Sequence, residues 1–309
     1  MGYGILRSLR QSGLALRLVG TSIHEDSPAE GFCDIFERAP PTYDIGYLPW
    51  LSGIIARHAV DLIFPGIEAD VYRWSEATDE LERGGAVRAV LNAPRLIALC
   101  KDKWTFYTTM HAHGARCVID SSLESDFGAL EARFGVPFLL KPRSGFGSKG
   151  IIRVDSRATF DHHRERVGPV LMAQPIVGTE SEEYTTSAFC DGTGGFRAHM
   201  TLRRKLSSEG FTGWAEVVDP DDVVDVMTEL CRLLKPIGPT NFQFRRHLGL
   251  LKLLEINPRV SSATSIRTAF GYNECAMAVA YFLDGQWPAQ PVIRRGRAVR
   301  YFEDLVFYS

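Results

Sequence analysis

The chain has 309 residues, of which 45% are hydrophobic and 23% charged, and its formal net charge is -2 at pH 7. This composition is typical of a soluble globular protein and excludes an intrinsically disordered chain. Because there is no excess of positive charge and no Lys/Arg cluster, we do not expect nucleic acid as a partner. No apolar stretch approaches the roughly 20 residues that cross a bilayer, and no signal peptide is evident. We therefore expect no membrane partner and a cytoplasmic location, where the dispersed cysteines would be reduced.

Residues 1–97 alternate between helical and strand patterns. The pattern predicts helices over 4–10 and 50–58 and strands over 16–20 and 61–65. This alternation is typical of a parallel α/β unit, so we predict a Rossmann-like N-terminal α/β domain over residues 1–97. The chain opens with a glycine pair that runs directly into a helix, where such units normally begin with a strand. We expect that a first strand is missing and that the natural start lies upstream.

The rest of the chain has an α+β pattern. We predict a small subdomain with a glycine loop over residues 98–170 and a C-terminal subdomain over residues 171–309. The first contains predicted helices at 104–113 and 127–134 and a strand at 137–141. The second contains predicted strands at 170–173, 183–189, 196–206, 242–246 and 250–256, with a helix at 221–234.

The glycine loop at residues 143–150 connects two predicted strands. Gly145, Gly147 and Gly150 match the G-x-G-x-x-G pattern, but a dinucleotide-binding turn requires a helix directly after the loop, and the β-rich residues 151–154 follow instead. A protein kinase is also excluded, since the H-R-D and D-F-G motifs are missing. What remains is a strand lysine, Lys141, before a loop whose amides can fold over phosphates or simply form an exposed hairpin.

Two alternating segments, 240–245 and 251–257, are joined by a short connection with Gly249 and predict an antiparallel hairpin. Period two places Asn241 and Gln243 on one side of the first strand, and Glu255 and Asn257 on one side of the second. Mg²⁺ prefers hard oxygen ligands and usually takes one or two carboxylates from protein. The hairpin therefore predicts a magnesium site. Arg259, just beyond it, is our candidate for stabilising charge on a transferring phosphoryl group.

These residues resemble the ATP-grasp superfamily, and most closely the synthetase halves of the carbamoyl phosphate synthetase large subunit. The segments 241–244 and 254–261 are similar to the metal-binding signature of that family. Residues 140–142 with the glycine loop resemble its phosphate-covering hairpin, and Asp102-Lys103 resembles the dipeptide that opens its first ATP-binding subdomain.

The resemblance implies ATP and Mg²⁺ (or Mn²⁺) as cofactors. Lys103 and Lys141 are expected to contact the phosphates, the loop to cover them, residues 174–177 to hold adenine through backbone groups, and Glu183 to bind the ribose. The expected nucleotide-binding residues are Lys103, Lys141, Ser144, Gly145, Gly147, Ser148, Gln174, Ile176, Glu183 and Gln243. The expected metal ligands are Gln243, Glu255 and Asn257, and the expected catalytic residues are Arg259 and Lys141.

The resemblance also implies the chemistry of an ADP-forming ligase. A small carboxylate, such as an amino acid, attacks the γ-phosphorus of ATP, and an amine or similar nucleophile then displaces phosphate from the acyl phosphate. Two alternatives remain open: a carbamoyl phosphate synthetase-like enzyme that acts on bicarbonate, and a nucleotide-binding protein without turnover. The sequence leaves both a monomer and a homodimer open.

Two further sets of residues are weaker candidates. Arg203 or Lys205, on a strand that should flank the site, could hold a carboxylate or phosphate, or could belong to a solvated strand edge. Glu68 and Asp70 follow a predicted strand end in the N-terminal domain, where loops commonly line a substrate pocket.

Overall fold

The fold is described from a computed structural model, which describes residues 1–82, 85, 87–145 and 149–307. Its helices are α1 (Gly2–Arg10), α2 (Tyr47–His58), α3 (Glu68–Glu76), α4 (Thr78–Leu81), α5 (Pro94–Lys101), α6 (Lys103–Ala112), α7 (Phe127–Phe134), α8 (Arg157–His163), α9 (Val223–Leu234), α10 (Thr264–Ala269) and α11 (Glu274–Asp284). Its strands are β1 (Val19–Ser22), β2 (Ile35–Arg38), β3 (Leu62–Ile63), β4 (Arg88–Ala89), β5 (Phe138–Pro142), β6 (Ile152–Val154), β7 (Leu171–Pro175), β8 (Glu183–Asp191), β9 (Phe196–Leu206), β10 (Thr212–Val218), β11 (Ile237–His247), β12 (Leu250–Asn257) and β13 (Arg297–Val299).

The N-terminal part contains two separate pairs of parallel strands. β1 pairs with β2, and β3 pairs with β4. The alternation of helices and strands agrees with the sequence, but the described strands of this part form two short pairs where one continuous Rossmann-type sheet was predicted. The strand predicted over residues 61–65 is also shorter than expected, since only Leu62–Ile63 pairs regularly.

A small three-stranded sheet carries the glycine loop. Its order is β6-β5-β7, all antiparallel. One face packs against α7 and α8 through an aromatic cluster that includes Phe127, Phe138 and Phe160. α7 and α8 begin directly after N-cap residues: the side chains of Asp126 and Ser156 each accept a hydrogen bond from a backbone N–H of the first turn. Since β7 extends to Pro175, the small sheet continues past the predicted boundary at residue 170, and the boundary at residue 97 lies inside α5.

A large antiparallel sheet forms the C-terminal part, in the order β12-β11-β8-β9-β10-β13. One face packs against α9 through residues that include Phe242, Phe244 and Met227. The other face packs against α10 and α11 around Tyr272 and Phe189, which are fully buried. Polar side chains lie on this second face at the β11–β12 edge, and this is the edge that the small sheet covers.

Among the described helices, none is long and apolar enough to cross a membrane.

Candidate active site

Lys141 lies on the face of the small sheet that points away from its aromatic core. It pairs across strands with Met172, just as Leu139 pairs with Gln174, and the alternating residues Phe138 and Leu140 fill the core behind them. Burial is the main reason that the pKa of Lys141 falls to about 8; the charge of Glu255 opposes this decrease, and the charge of Lys103 contributes to it. Lys141 is therefore a cation held close to both Lys103 and Glu255, the two residues that the sequence analysis grouped with it.

Lys103 is the first residue of α6 and contacts the start of the glycine loop. Its Nζ donates to the carbonyl of Gly145 over 2.8 Å, and its backbone N–H donates to Arg143 O. Asp102 caps α6 by accepting from Thr105 N and also binds the Arg143 guanidinium at 2.8 Å. The Asp102-Lys103 dipeptide thus attaches the loop to the helix and places the lysine at the mouth of the site.

The strands β11 and β12 form the antiparallel hairpin that the sequence predicted. In the register of β11 and β12, Asn241 lies opposite Asn257 and Gln243 opposite Glu255. Directly opposed residues of an antiparallel pair share one face, so all four side chains lie on the same side. Asn257 Nδ2 donates to Glu255 Oε1 over 3.1 Å, which orients the amide and leaves the Asn257 oxygen on the other side.

Glu255 is ionised despite its burial. Burial alone would raise its pKa, but the charge of Lys103, the hydrogen bond from Asn257 and the charge of Lys141 together bring the pKa below its ordinary value. An ionised carboxylate beside two amide side chains is a donor set that suits Mg²⁺. No three His, Cys, Asp or Glu side chains cluster as a metal site in the described ranges, so a cation here depends on the amides of Gln243 and Asn257 as well as on Glu255.

Glu183 binds two arginines, one through each carboxylate oxygen. Its Oε1 accepts from Arg204 Nε at 3.0 Å and its Oε2 from Arg245 Nε at 3.0 Å, and the glutamate side chain is only 5% exposed. Arg204 Nη2 in turn donates to Gln243 Oε1 over 2.6 Å. These contacts favour a role for Glu183 in holding the two arginines and leave its expected contact with the ribose a prediction.

The arginine that faces the site on β9 is Arg204, whereas Arg203 and Lys205 lie on the other face, which agrees with the alternative of a solvated strand edge. Arg204 pairs across strands with Glu183, whereas Arg203 pairs with Tyr184, whose face packs on α9. Period two sends Lys205 to the same side as Arg203, where both lie near the Trp214 ring.

Arg259 forms an ion pair with Glu68 from the N-terminal part. Its Nε and Nη2 lie 2.9 Å and 2.8 Å from Glu68 Oε2. Nη2 also donates to Asn257 Oδ1, and Nη1 donates to the carbonyl of Val260. The guanidinium is therefore fixed beside the predicted metal ligands, and Glu68 does line this region. Asp70 instead anchors the preceding loop by accepting from Thr42 Oγ1 and Gly66 N.

Two cavities meet at the centre of the site. The first has apolar walls that include Phe106, Val118, Ile119 and Leu253, with Gln174 as a polar group. The second is lined by Glu68, Tyr72, Asn257 and Pro258, among others. Both cavities share Cys100, Lys103, Glu255 and Ile256. An apolar slot and a polar chamber thus open onto the same lysine and carboxylate.

The remaining predicted residues fall into three groups. Gln174 lies on β7, where its Nε2 donates to Ser121 Oγ over 2.8 Å. Ile176 follows β7 and is partly exposed, while Ser144 and Gly145 are exposed at the start of the loop, with Gly145 at φ 124°. Gly147 and Ser148 lie outside the described residues.

Sequence reasoning missed Arg204, Tyr72 and Ser121. The alternation of β9 contained a signal for Arg204, since Leu202 and Arg204 share a face, but the sequence does not show which face meets the site. Nothing in the sequence pointed to Tyr72 or Ser121, because their partners are set by packing between distant segments.

A sequence profile of the family described as "ATP-grasp in the biosynthetic pathway with Ter operon" matches residues 170–305. The carbamoyl phosphate synthase large chain of Thermomicrobium roseum is 26% identical over 224 residues, which cover 64% of this chain. The chain spans only 20% of the length of that relative, and 27% of the equivalent protein from Methanosarcina mazei.

Solved structures with the same fold include two biotin carboxylases. A complex of the Campylobacter jejuni enzyme with a βγ-ATP compound superposes with a TM-score of 0.73 at 15% identity, covering 96% of this chain and 72% of that one. The biotin carboxylase domain of Hydrogenobacter thermophilus 2-oxoglutarate carboxylase, crystallised as a dimer with MgADP, ADP and bicarbonate, gives a TM-score of 0.71 at 15% identity, covering 95% and 70%. These matches show that the chain has the fold of these enzymes, and over residues 170–305 it is similar to ATP-grasp proteins.

Proposed function

We propose that the chain is an ATP- and Mg²⁺-dependent ligase that activates a small carboxylate as an acyl phosphate for attack by an amine or similar nucleophile. The observation that carries the proposal is that Lys103 and Glu255 lie where the two cavities meet, with Lys141 close enough for both of their charges to act on its pKa. This is the arrangement needed to hold a polyphosphate between cations and a metal-binding carboxylate, with a chamber beyond it for a second substrate. Relatives named for carbamoyl phosphate synthesis and biotin carboxylation support the same reaction class.

The nucleotide would lie in the first cavity. Its apolar walls suit a purine, and residues 174–177 at the end of β7 would supply backbone groups for the base. The phosphates would then reach Lys103 and Lys141, with Ser144, Gly145 and the rest of the glycine loop above them. We propose that Glu183 acts by holding Arg204 against Gln243, and so contributes to the phosphate end of the site without touching the ribose.

The oxygens of Gln243, Glu255 and Asn257 are the groups that would hold Mg²⁺. They fit this cation because one ionised carboxylate and two amides leave positions for water and phosphate oxygens. When bound, the cation would neutralise charge on the transferring phosphoryl group. Arg204 and Arg259 donate to the same amide oxygens of Gln243 and Asn257, so they keep these ligands oriented.

The chain's own residues would bring the carboxylate in line with the γ-phosphorus. A carboxylate oxygen of the substrate forms a bond to that phosphorus, the bond to the β–γ bridging oxygen breaks, and ADP leaves with the electron pair. The amine then attacks the acyl carbon and expels phosphate. Lys141 and Arg259 would stabilise the developing negative charge, and closure of the glycine loop would keep water from the acyl phosphate.

An assay of ADP release with Mg²⁺ tests the proposal. ATP would be combined with panels of carboxylic acids and amines, with bicarbonate in a parallel series. Dependence on an organic acid supports the ligase, whereas dependence on bicarbonate indicates the carbamoyl phosphate synthetase-like alternative. Nucleotide binding with no turnover across the panels would replace both with a binding protein.

The quaternary state is a separate proposal. A homodimer agrees with the dimeric biotin carboxylase domain among the similar structures. Light scattering of the purified chain, which distinguishes one copy from two by mass, tests it.

A further inference from the structure

The Glu68–Arg259 ion pair lies at the wall of the chamber proposed for the acid substrate, which Glu68 lines. Glu68 opens α3, and Arg259 follows the metal-site strand β12, so the pair joins segments that are 191 positions apart. Each side chain is only 14% exposed, and Glu68 is part of the wall of the second cavity. The pair is therefore largely shielded from bulk water, and its Glu68 member faces the cavity.

Both members of the pair are held in place by other groups. Tyr72 OH donates to Glu68 Oε1 over 3.0 Å, so the second carboxylate oxygen is also engaged. Arg259 is held by Asn257 Oδ1 and by the carbonyl of Val260. If the ion pair opened, Glu68 and Arg259 would each stay near their present positions, because these further contacts do not depend on it.

A substrate carboxylate that binds Arg259 must compete with Glu68. Simple displacement would leave the Glu68 carboxylate shielded from water and without a cation, which costs free energy. A substrate that carries its own cation avoids this cost: its carboxylate replaces Glu68 on Arg259, and its ammonium group replaces Arg259 on Glu68. Every charge then keeps a partner.

We propose that the acid substrate is an α-amino acid, bound as a zwitterion between Arg259 and Glu68. This inference rests on the proposed function, since it names the acid that the ligase activates. Arg259 holds the carboxylate beside Asn257 and the phosphate end of the site, while Glu68, positioned by Tyr72, selects the amino group. Bicarbonate and simple carboxylic acids lack the cation that Glu68 requires.

The test compares each of the twenty standard L-amino acids with the carboxylic acid that lacks its amino group, for example phenylalanine with 3-phenylpropionate. Binding is measured by calorimetry in the presence of Mg²⁺ and a non-hydrolysable ATP analogue, for the wild type and for Glu68→Gln. We expect at least one amino acid to bind tenfold or more tightly than its partner acid. Glu68→Gln should reduce the ratio of the two affinities by at least tenfold, because the amino group loses its partner and the partner acid no longer has to displace a carboxylate from Arg259.

Controls separate this proposal from the function on which it rests. Glu76→Gln, at the exposed end of the same helix, should leave the preference unchanged. If Glu68→Gln does not fold, Tyr72→Phe, which removes the hydroxyl that positions Glu68, should reduce the preference in the same direction. The inference is overturned if no amino acid outperforms its partner acid, or if the preference survives loss of the Glu68 carboxylate. If the wild type fails to bind the ATP analogue, the proposed function itself is overturned.

Discussion

Gln243 and Glu255 lie directly opposite each other on β11 and β12, with their side chains on the face that meets Lys141. An amide and an ionised carboxylate at one cross-strand position form the centre of the proposed cation site. Removal of the carboxylate takes away the only charged ligand among the three predicted ones.

We predict that Glu255→Ala abolishes metal-dependent ATP turnover and leaves the fold intact. The loss in ADP release should be on the order of 100-fold or more, as expected when a charged group that stabilises a transferring phosphoryl group is removed. The measurement is ADP release against Mg²⁺ concentration, with circular dichroism to confirm folding. Glu131→Ala, an exposed glutamate on α7, is the matched control. Turnover at the wild-type rate would refute the metal assignment.

We predict that nucleotide affinity falls as the pH rises above about 8. The pKa of Lys141 is about 8 in the ligand-free site because of burial, and bound phosphates favour the charged form, so the pKa is higher in the complex. Between these two pKa values binding must take up a proton, and affinity should decrease by up to about tenfold per pH unit. Calorimetric titration with Mg-ADP, from about pH 6.5 to about pH 9.5, measures this dependence, because the range spans the Lys141 pKa of about 8.

Lys141→Arg supplies the comparison, because arginine stays charged throughout this range. Its affinity should be nearly flat where that of the wild type falls; equal slopes would exclude Lys141 as the titrating group.

The same lowered pKa affects stability. Since the unfolded chain binds more protons than the folded chain between about 8 and the ordinary lysine value of 10.5, the free energy of unfolding should rise with pH over that window.

Most residues of the candidate site could be predicted from the sequence, but the side chains with which they pair could not. The alternation of residues 241–244 and 254–257 was sufficient to place Gln243, Glu255 and Asn257 on one face, because period two needs only the strand itself. The sequence did not single out Arg204, because three consecutive basic residues occupy both faces of β9. Only the neighbouring strands and the helix behind them decide which face meets the site.

The long-range ion pairs were also beyond sequence reasoning. Glu183 looked like one of several acidic residues near a hinge, and its pairing with Arg204 and Arg245 depends on β8 lying between β9 and β11. Glu68 could be guessed to line a pocket from its position after a strand, but its pairing with Arg259 requires the packing of α3 against β12's end. Nor does the sequence indicate how far each N-terminal strand extends, because short buried segments pair regularly over only a few residues.

We predict that Glu183→Gln lowers the free energy of unfolding by about 3–5 kcal/mol, since it leaves two guanidinium groups of a buried cluster without their carboxylate. Urea denaturation measures the change. Glu216→Gln is the matched control: its pair with Arg203 is largely exposed, so the expected change is below about 1 kcal/mol.

The same variant distinguishes a role for Glu183 in holding Arg204 against Gln243 from a contact between Glu183 and the ribose. ADP and 2′,3′-dideoxy-ADP differ only in the ribose hydroxyls, so a residue that binds the ribose controls the ratio of their dissociation constants. We expect this ratio to be unchanged in Glu183→Gln even if both affinities fall through a displaced Arg204. A collapsed ratio at unchanged stability would restore Glu183 as the ribose ligand.

We predict that Ser121 sets the preference of the base slot for adenine. Ser121 Oγ donates its proton to Ile119 O, so towards Gln174 it can only accept, and the Nε2 of Gln174 must face it. No described group donates to Gln174 Oε1, and Gln174 lines the apolar cavity. The site therefore offers a base an acceptor, which matches the exocyclic amine of adenine and opposes the carbonyl of guanine at the same position.

Ser121→Ala removes the hydroxyl that fixes the amide. Gln174 could then rotate and present its NH₂ group to a base carbonyl, so the ratio of ATP-analogue to GTP-analogue affinity should fall by roughly tenfold, the equivalent of one hydrogen bond. Ser122→Ala is the control, because the Ser122 hydroxyl accepts from Glu124 N outside the base slot. The Gln174 amide can discriminate between bases only while its orientation is fixed. An unchanged affinity ratio in Ser121→Ala would therefore mean that Gln174 does not select the base and that backbone groups near residue 176 do.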